Sequence, residues 1–374
     1  MSRAREKRVY PGGNTGEGFY SYYHYVLPPE QANRIFILKG GPGGGKSTLM
    51  RYLSDNMLQR GYDVELHYCS SDLESLDAVV FPQIGVALMD GTAPHSRDPK
   101  YPGAVDEIVD LGQYWNGQEL RNRREEIIAA SQAASRSFQS AYRALMAAKI
   151  VHANWEAPYT QAQDFGWVNQ VTQRLAAMIL NGHSVNPVPG KERHLFGAAF
   201  TPAGPTEHFA YLLDPVEKKF LVKGSPGTGK STLLKKIGQW AKERGLDVEY
   251  YHSPLVPTNV DHLILPQLDT VIATSGEIFP YEATDVLDVI NLDDGLDQAK
   301  LAPHRDNIAA DKDLFFTMLQ RAIAYVRQAK EGHGRLEGLY VPTMDFSRLN
   351  EAREEILHKI LAIAEETTAA KTEH

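Results

Sequence analysis

The sequence predicts an α/β protein of two tandem domains, each a parallel sheet flanked by helices with an appended helical subdomain. Two observations support this prediction. A glycine-rich segment occurs at residues 40–48 and again at 224–232, each time between a short apolar run and a helical pattern. The residues that follow each segment also repeat. Strand, glycine loop, helix and strand in this order form a right-handed crossover, and repeated crossovers build a parallel sheet.

The two halves of the chain align without a gap over a long stretch. Residues 36–50 read FILKGGPGGGKSTLM and residues 220–234 read FLVKGSPGTGKSTLL, with ten of fifteen positions identical. Self-similarity at a period of this length indicates a duplicated domain. We therefore expect one copy at residues 1–182, a linker rich in Asn, Pro and Gly at 183–192 and a second copy at 193–374, which together form an intramolecular pseudo-dimer.

Local patterns predict the elements of each copy. Apolar runs that end at glycine predict buried strands at 34–39 and 219–223, and Gly61 is expected to end a helix over 47–60. Further strands are expected at 64–69, 86–89, 248–253 and 271–273. The remaining long segments, 105–180 and 285–370, have helical periodicity and are expected to form the appended subdomains.

Both glycine segments match G-x-x-x-x-G-K-[ST], the P-loop pattern that wraps nucleotide phosphates. The glycines let main-chain N–H groups approach phosphate oxygens, and the following helix directs its positive end towards them. The lysine is expected to reach the β and γ phosphates, and the serine hydroxyl to coordinate Mg²⁺. The predicted nucleotide-binding residues are Gly40, Gly41, Gly43, Gly44, Gly45, Lys46, Ser47 and Thr48 in the first copy, and Gly224, Gly227, Thr228, Gly229, Lys230, Ser231 and Thr232 in the second.

A carboxylate that ends a neighbouring strand is the expected second Mg²⁺ ligand. Asp90 follows the apolar run 86–89 and has this form, although an aspartate of a simple turn is the alternative. His95 is placed to orient water or sense the γ-phosphate, or is a plain loop histidine, and Arg97 is a candidate for neutralising transition-state charge. The predicted catalytic residues are Lys46, Asp90 and His95, and the predicted metal ligands are Ser47, Asp90 and Ser231.

The second copy lacks the acid and the histidine. Thr274 aligns with Asp90, and Phe279 aligns with His95. We expect the first site to be competent for hydrolysis and the second to bind nucleotide with slow or no turnover, as a regulatory site. A shifted metal ligand stays open, because four carboxylates lie nearby in sequence: Asp269, Glu277, Glu282 and Asp285.

A polar motif recurs in the two helical segments. Its members are Lys149, His152, Glu156 and Tyr159 in the first copy, and Lys330, His333, Glu337 and Tyr340 in the second. Their spacing places each set on one helical stripe. Three interpretations remain: a polar packing network, a contact with nucleotide or with the other copy, and a metal site. Pro158 is expected to end or kink the first of these helices.

Composition excludes several classes of protein. A net charge of −8 and a pI near 5.9 disfavour general nucleic-acid binding. The chain has no run of about 18 apolar residues and no apolar signal-peptide core, which predicts no membrane span. The single cysteine allows no internal disulfide, and we expect a cytoplasmic protein.

These residues resemble a bacterial family of tandem P-loop ATPases that has no assigned cellular role. The most specific pieces are the stretch from Asp90 to His95, the stretch from Asp98 to Gly103 and residues 223–232, and the resemblance extends over nearly the whole chain. The resemblance implies ATP binding and ATPase activity. Family members often have an acid and a histidine in the second copy as well, where this chain has Thr274-Ser-Gly276.

The motifs predict a Mg²⁺-dependent ATPase that acts on an unknown substrate or protein partner. One alternative is a small-molecule or nucleotide kinase, because the same loop serves phosphotransferases. The other alternative is a non-catalytic nucleotide sensor or scaffold. The absence of an Asn-Lys-x-Asp motif favours ATP over GTP.

Overall fold

The structure, a computed structural model, describes residues 4–92, 97–183 and 185–372. The chain divides into two compact units. Unit one consists of the residues up to Pro11, Ser21–Phe138 and the residues from Val326 onward. Unit two consists of Gly12–Tyr20 and Gln139–Tyr325. Each unit thus contains segments from both halves of the chain, which differs from the expected division at residues 183–192.

The two halves share one order of elements. The first half contains β1 (Glu6–Val9), β2 (Gly12–Thr15), β3 (Gly18–Ser21), β4 (Arg34–Lys39), α1 (Lys46–Gln59), β5 (Val64–Cys69), β6 (Asp72–Phe81), β7 (Val86–Asp90), β8 (Asp106–Asp110), α2 (Gly117–Asn122), α3 (Arg124–Ala162) and α4 (Phe165–Leu180). The second half contains β9 (Glu192–Phe196), β10 (Ala198–Thr201), β11 (Gly204–Glu207), α5 (Phe209–Leu212), β12 (Lys218–Lys223), α6 (Lys230–Glu243), β13 (Val248–His252), β14 (Val260–Leu265), β15 (Thr270–Thr274), β16 (Val286–Asn291), α7 (Gln298–Leu301), α8 (Arg305–Tyr340) and α9 (Phe346–Thr372).

Each unit contains one six-stranded sheet. The strand order is β1-β5-β6-β7-β4-β8 in unit one and β9-β13-β14-β15-β12-β16 in unit two. The strand before each glycine segment, β4 or β12, lies between two parallel neighbours. This arrangement brings the carboxyl ends of three strands to one edge of the sheet, beside the glycine segment.

The sheets are mixed, and the prediction of a purely parallel sheet is wrong. β6 runs antiparallel to β5 and β7, and β14 runs antiparallel to β13 and β15. The physical reason is the length of the connections. A parallel crossover needs about a dozen residues. Only Ser70 and Ser71 connect β5 to β6, and only residues 253–259 connect β13 to β14, so each pair forms a hairpin.

The segments predicted as helical from residues 105 and 285 begin with strands instead. β8 and β16 occupy the sheet edges and pair with β4 and β12. Their side chains alternate in exposure, and this period of two is typical of strands. Helices dominate the rest of both segments. Helix α3 continues through Pro158 to Ala162, so the helix does not end at this proline.

The core of unit two explains why α4 belongs to it. Apolar residues of α4 pack against the helix that follows the second glycine segment and against the sheet. The buried residues that α4 contributes include Val168, Val171, Leu175 and Ile179. A second apolar cluster joins α3 to α8 within this unit, around Trp155, Leu145 and Phe315. Within the part of the chain that the structure describes, no helix combines the length and apolarity needed to cross a membrane.

Candidate functional site

The first glycine loop (residues 40–48) connects β4 to α1, as the sequence predicts. Gly43 and Gly45 have φ angles of 67° and 78°, in the left-handed region that favours glycine. The space around them is also restricted. A Cβ atom at Gly43 would lie 2.6 Å from Val341 Cγ2, and one at Gly45 would lie 2.5 Å from Leu349 Cδ2. Residues from the C-terminal part of the chain therefore pack on this loop.

Lys46 is fixed at the start of α1. Its ammonium donates hydrogen bonds to the carbonyl oxygens of Gly40, at 2.8 Å, and Gly41, at 3.0 Å. Asp90 Oδ2 lies 3.6 Å from Lys46 Nζ. Asp90 reaches this position because it ends β7 and pairs with Leu38 of β4. The structure thus brings together the predicted lysine and the predicted acid.

The serine of the first loop contacts the antiparallel strand. Ser47 Oγ accepts a hydrogen bond from Leu76 N at 3.1 Å. The next residue, Asp77, is buried and was missed by sequence reasoning. Burial, with the Asp77 carboxylate as the next cause, raises the pKa of Tyr23 well above its usual value. A signal did exist, because Asp77 aligns with Asp261 in the second half of the chain.

The second glycine loop (residues 224–232) has the same local geometry. The Lys230 ammonium donates to Gly224 O at 2.6 Å and to Ser225 O at 2.8 Å. The Asp293 carboxylate accepts from Ser225 N and from Ser225 Oγ, at 2.7 and 3.1 Å. Thr228 Oγ1 donates to Ser225 O at 2.8 Å. The loop is therefore held in shape by its own side chains and by Asp293.

At the second loop, the strand end that corresponds to Asp90 carries no carboxylate. Thr274 ends β15, is buried and donates its N–H to His262 Nδ1 at 3.3 Å. Asp261 of β14 faces the same space. Burial raises the pKa of Asp261 to about 7, although Lys230 and a hydrogen bond from Ser253 act in the opposite direction.

A cavity of about 600 Å³ lies above the second loop. Its floor is the loop itself, and its walls include Asp261, Thr274 and the aromatic side chains of Trp155 and Phe279. This volume is in the range of small-molecule sites, which are about 300–1,000 Å³. Both charged and apolar side chains line the cavity, so the space suits a ligand with both polar and apolar parts.

The recurrent helical motif lies beside the loops. His152 and Glu156 of α3 line the second cavity, where their Nδ1 and Oε2 atoms are 3.7 Å apart. A Cβ atom at Gly227 would lie 2.7 Å from Glu156 O. Burial and, to a smaller extent, the Lys230 ammonium lower the pKa of His152 to about 4. Burial raises the pKa of Glu156, while Lys230 opposes that shift.

The counterpart motif in α8 lies beside the first loop. A Cβ atom at Gly41 would lie 2.9 Å from Tyr340 Cε1, and one at Gly43 would lie 3.5 Å from Glu337 O. Burial lowers the pKa of His333. Among the described residues, no group of three or more His, Cys, Asp or Glu side chains could hold a metal ion. The motif of each half thus lies against the glycine loop of the other half, which corresponds to the second interpretation, a contact with the other copy.

The other predicted residues have varied positions. Thr48 and Thr232 are exposed in the first turns of α1 and α6. Ser231 Oγ accepts from Val260 N at 2.9 Å. Arg97 donates to Met89 Sδ at 3.0 Å. His95, a predicted catalytic residue, lies outside the described residues.

Comparison with known proteins gives no relative for this chain. No family model matches it, and no curated protein or solved structure is significantly similar to it. The sequence motifs and the geometry of the two loops are therefore the basis for inferring the function of the protein.

Proposed function

We propose that the protein is a Mg²⁺-dependent ATPase that binds a nucleoside triphosphate at each glycine loop and hydrolyses it at the first. The observation that carries this proposal is the position of Lys46. It is the first residue of α1, is anchored to two loop carbonyls and lies 3.6 Å from Asp90. A lysine at a helix N-terminus beside a carboxylate combines a phosphate-binding group with a metal-binding one.

Each group in the first loop has a chemical role in this proposal. The main-chain N–H groups of the loop bind phosphate oxygens, and Lys46 neutralises the charge of the β and γ phosphates. Ser47 and Asp90 supply the hard oxygen donors that Mg²⁺ prefers. Bound Mg²⁺ would withdraw charge from the phosphate oxygens. Water attacks the γ-phosphorus, the bond to the bridging oxygen breaks, and ADP and phosphate leave.

A second candidate function is phosphoryl transfer to a small molecule. The supporting observation is the cavity above the second loop, which is larger than a phosphate group requires and has an aromatic wall at Trp155 and Phe279. Such a wall is typical of small-molecule sites. ATP consumption that occurs only after a metabolite is added would favour this function over hydrolysis.

The proposal is tested by removing each lysine separately. We expect wild-type protein to bind two equivalents of ATP in a calorimeter, and Lys46→Ala and Lys230→Ala to retain one strong site each. The affected site should weaken by about 10- to 100-fold, as expected for loss of a hydrogen bond to a charged group. Lys46→Ala should abolish most turnover, and Lys230→Ala should preserve it.

Two results would contradict the proposal. Wild-type protein that fails to bind any Mg²⁺-triphosphate would exclude nucleotide binding at these loops. Equal loss of turnover in both variants would contradict the assignment of hydrolysis to the first site.

A further inference from the structure

A carboxylate other than Asp90 is common to the two glycine loops. Asp261 is the second residue of β14 and lines the cavity above the second loop. The internal alignment pairs it with Asp77 of β6. Asp90, by contrast, is replaced by Thr274 in the second half. Of the acids on the strands beside each loop, the one present in both halves is therefore the one on the antiparallel strand.

The loop serine fixes the position of this aspartate in each half. Ser231 Oγ accepts a hydrogen bond from Val260 N at 2.9 Å, and Asp261 is the next residue. Ser47 Oγ accepts from Leu76 N at 3.1 Å, again one residue before the aspartate. Successive strand residues are only about 3.3 Å apart along the strand. The backbone of the aspartate therefore lies next to the serine hydroxyl in both units.

The strand register brings the aspartate to the end of the neighbouring strand. In unit one Ala78 pairs with Met89, so the antiparallel register sets Asp77 opposite Asp90. In unit two His262 pairs with Ala273, which sets Asp261 opposite Thr274. The carboxylate position on the antiparallel strand is thus the same in both sheets.

We infer that Asp261 and the Ser231 hydroxyl hold the divalent cation of a Mg²⁺-triphosphate at the second loop, and that Asp77 has the equivalent position at the first. This inference rests on the proposed function, because it assigns a metal ligand within the same sites. Mg²⁺ typically takes one or two carboxylates together with substrate phosphates and water, and the donors present fit that set. Thr274 then does not deprive the second site of a metal.

The test uses Lys46→Ala protein, in which strong triphosphate binding reports on the second loop. Calorimetry measures the affinity for ATP with Mg²⁺ and with a chelator. We expect Mg²⁺ to increase the affinity for ATP. Asp261→Asn should reduce this Mg²⁺-dependent gain in affinity by about 10- to 100-fold. Binding of metal-free ATP should be unchanged or tighter, because a negative charge has been removed. Electron paramagnetic resonance should show the corresponding loss of Mn²⁺ bound together with ATP.

Two further variants serve as controls. Asp269, one of the candidates for a shifted metal ligand, lies in the turn between β14 and β15, at the opposite end of this hairpin from Asp261. Asp269→Asn therefore makes the same charge change away from the loop and should leave the Mg²⁺-dependent gain in affinity unchanged. Asp261→Asn combined with Thr274→Asp supplies a carboxylate where the first half has Asp90, and it should restore the gain. Should Asp261→Asn fail to fold, Asp261→Ser takes its place.

The outcomes separate this inference from the proposed function. A full Mg²⁺-dependent gain in Asp261→Asn overturns the assignment while nucleotide binding stands. Loss of metal-free ATP binding in the same variant also overturns it, because the carboxylate would then support the loop itself. Lys46→Ala protein that binds no triphosphate under either condition overturns nucleotide binding at the second loop, and this assignment with it.

Discussion

Gly45 shows how strictly the first loop is constrained at the level of one residue. Its φ of 78° disfavours any side chain, and a Cβ atom would lie 2.5 Å from Leu349 Cδ2. Gly61 has a similar φ of 87° with no atom within 4 Å of its Cβ position. A comparison of Gly45 with Gly61 therefore separates the free-energy cost of the left-handed backbone from the cost of the contact with Leu349.

We expect Gly61→Ala to lower the free energy of unfolding by about 1–2 kcal/mol, the cost of a left-handed residue. Gly45→Ala should cost about 1 kcal/mol more, because its methyl group also displaces Leu349. Urea unfolding of the two variants measures the difference. Equal losses would mean that α9 does not pack on the first loop.

His152 provides a prediction about pH. Its pKa falls from 6.5 to about 4 in the folded protein, first because of burial and then because of Lys230. Between these values the unfolded chain binds a proton that the folded protein does not, so stability decreases as the pH falls. The raised pKa of Glu156 acts in the opposite direction, since the folded protein holds that proton more tightly.

We expect wild-type protein to lose about 2 kcal/mol more than His152→Gln when the pH is lowered from near 7 to near 5. Glu156 is present in both proteins, so its contribution largely cancels. Denaturant unfolding at the two pH values measures the effect, with the exposed His358→Gln as a control for the change of residue type. An identical loss in wild type and His152→Gln would show that His152 is not buried in its neutral form.

At the level of the element, local patterns predicted the strand-loop-helix units correctly. The expected strand at 34–39 matches β4, and the expected helix at 47–60 matches α1 to within one residue. The glycine segments also formed the expected loops. These features depend on residues that are close in sequence. Hydrophobic periodicity and the positions of the glycines were therefore sufficient to predict them.

The antiparallel strands were harder to predict because strand pairing is a non-local property. β6 carries a buried apolar stretch, but the sequence alone did not identify it as a strand between β5 and β7. Because the antiparallel strands were not identified, the sequence did not predict that Asp77 and Asp261 lie near the loops. The short turn at Ser70 and Ser71 was the available signal, since it is too short for a crossover.

The helices raise a related point. The sequence predicts helices in both segments, but it does not indicate which sheet each helix joins. Helix α4 follows the first sheet in the chain but buries Val168 and Leu175 in the core of unit two. The motif around His152 and Glu156 consequently lies beside the second loop. Contacts between such distant segments depend on complementary packing surfaces, which periodicity does not specify.

At the level of the whole molecule, each compact unit needs segments from both halves of the chain. Unit two combines the second sheet with residues 139–180 of the first half, and unit one combines the first sheet with the residues from Val326 onward. A half chain therefore lacks part of each core. Residues 193–374 alone would leave Leu234 and Ile237 of α6 without their α4 partners.

We expect the fragments 1–182 and 193–374 to be largely unfolded or aggregated when each is produced alone. Exposed apolar surface is costly at about 25 cal/mol per Å², and the missing helices would expose a substantial part of each core. Co-produced fragments should associate, because together they contain both sheets and all the long helices of the two units and lack only residues 183–192. Circular dichroism and thermal melting of each fragment and of the mixture measure this. Fragments that each fold cooperatively as monomers would contradict the division into these units, and would instead favour domains that follow the two halves of the sequence.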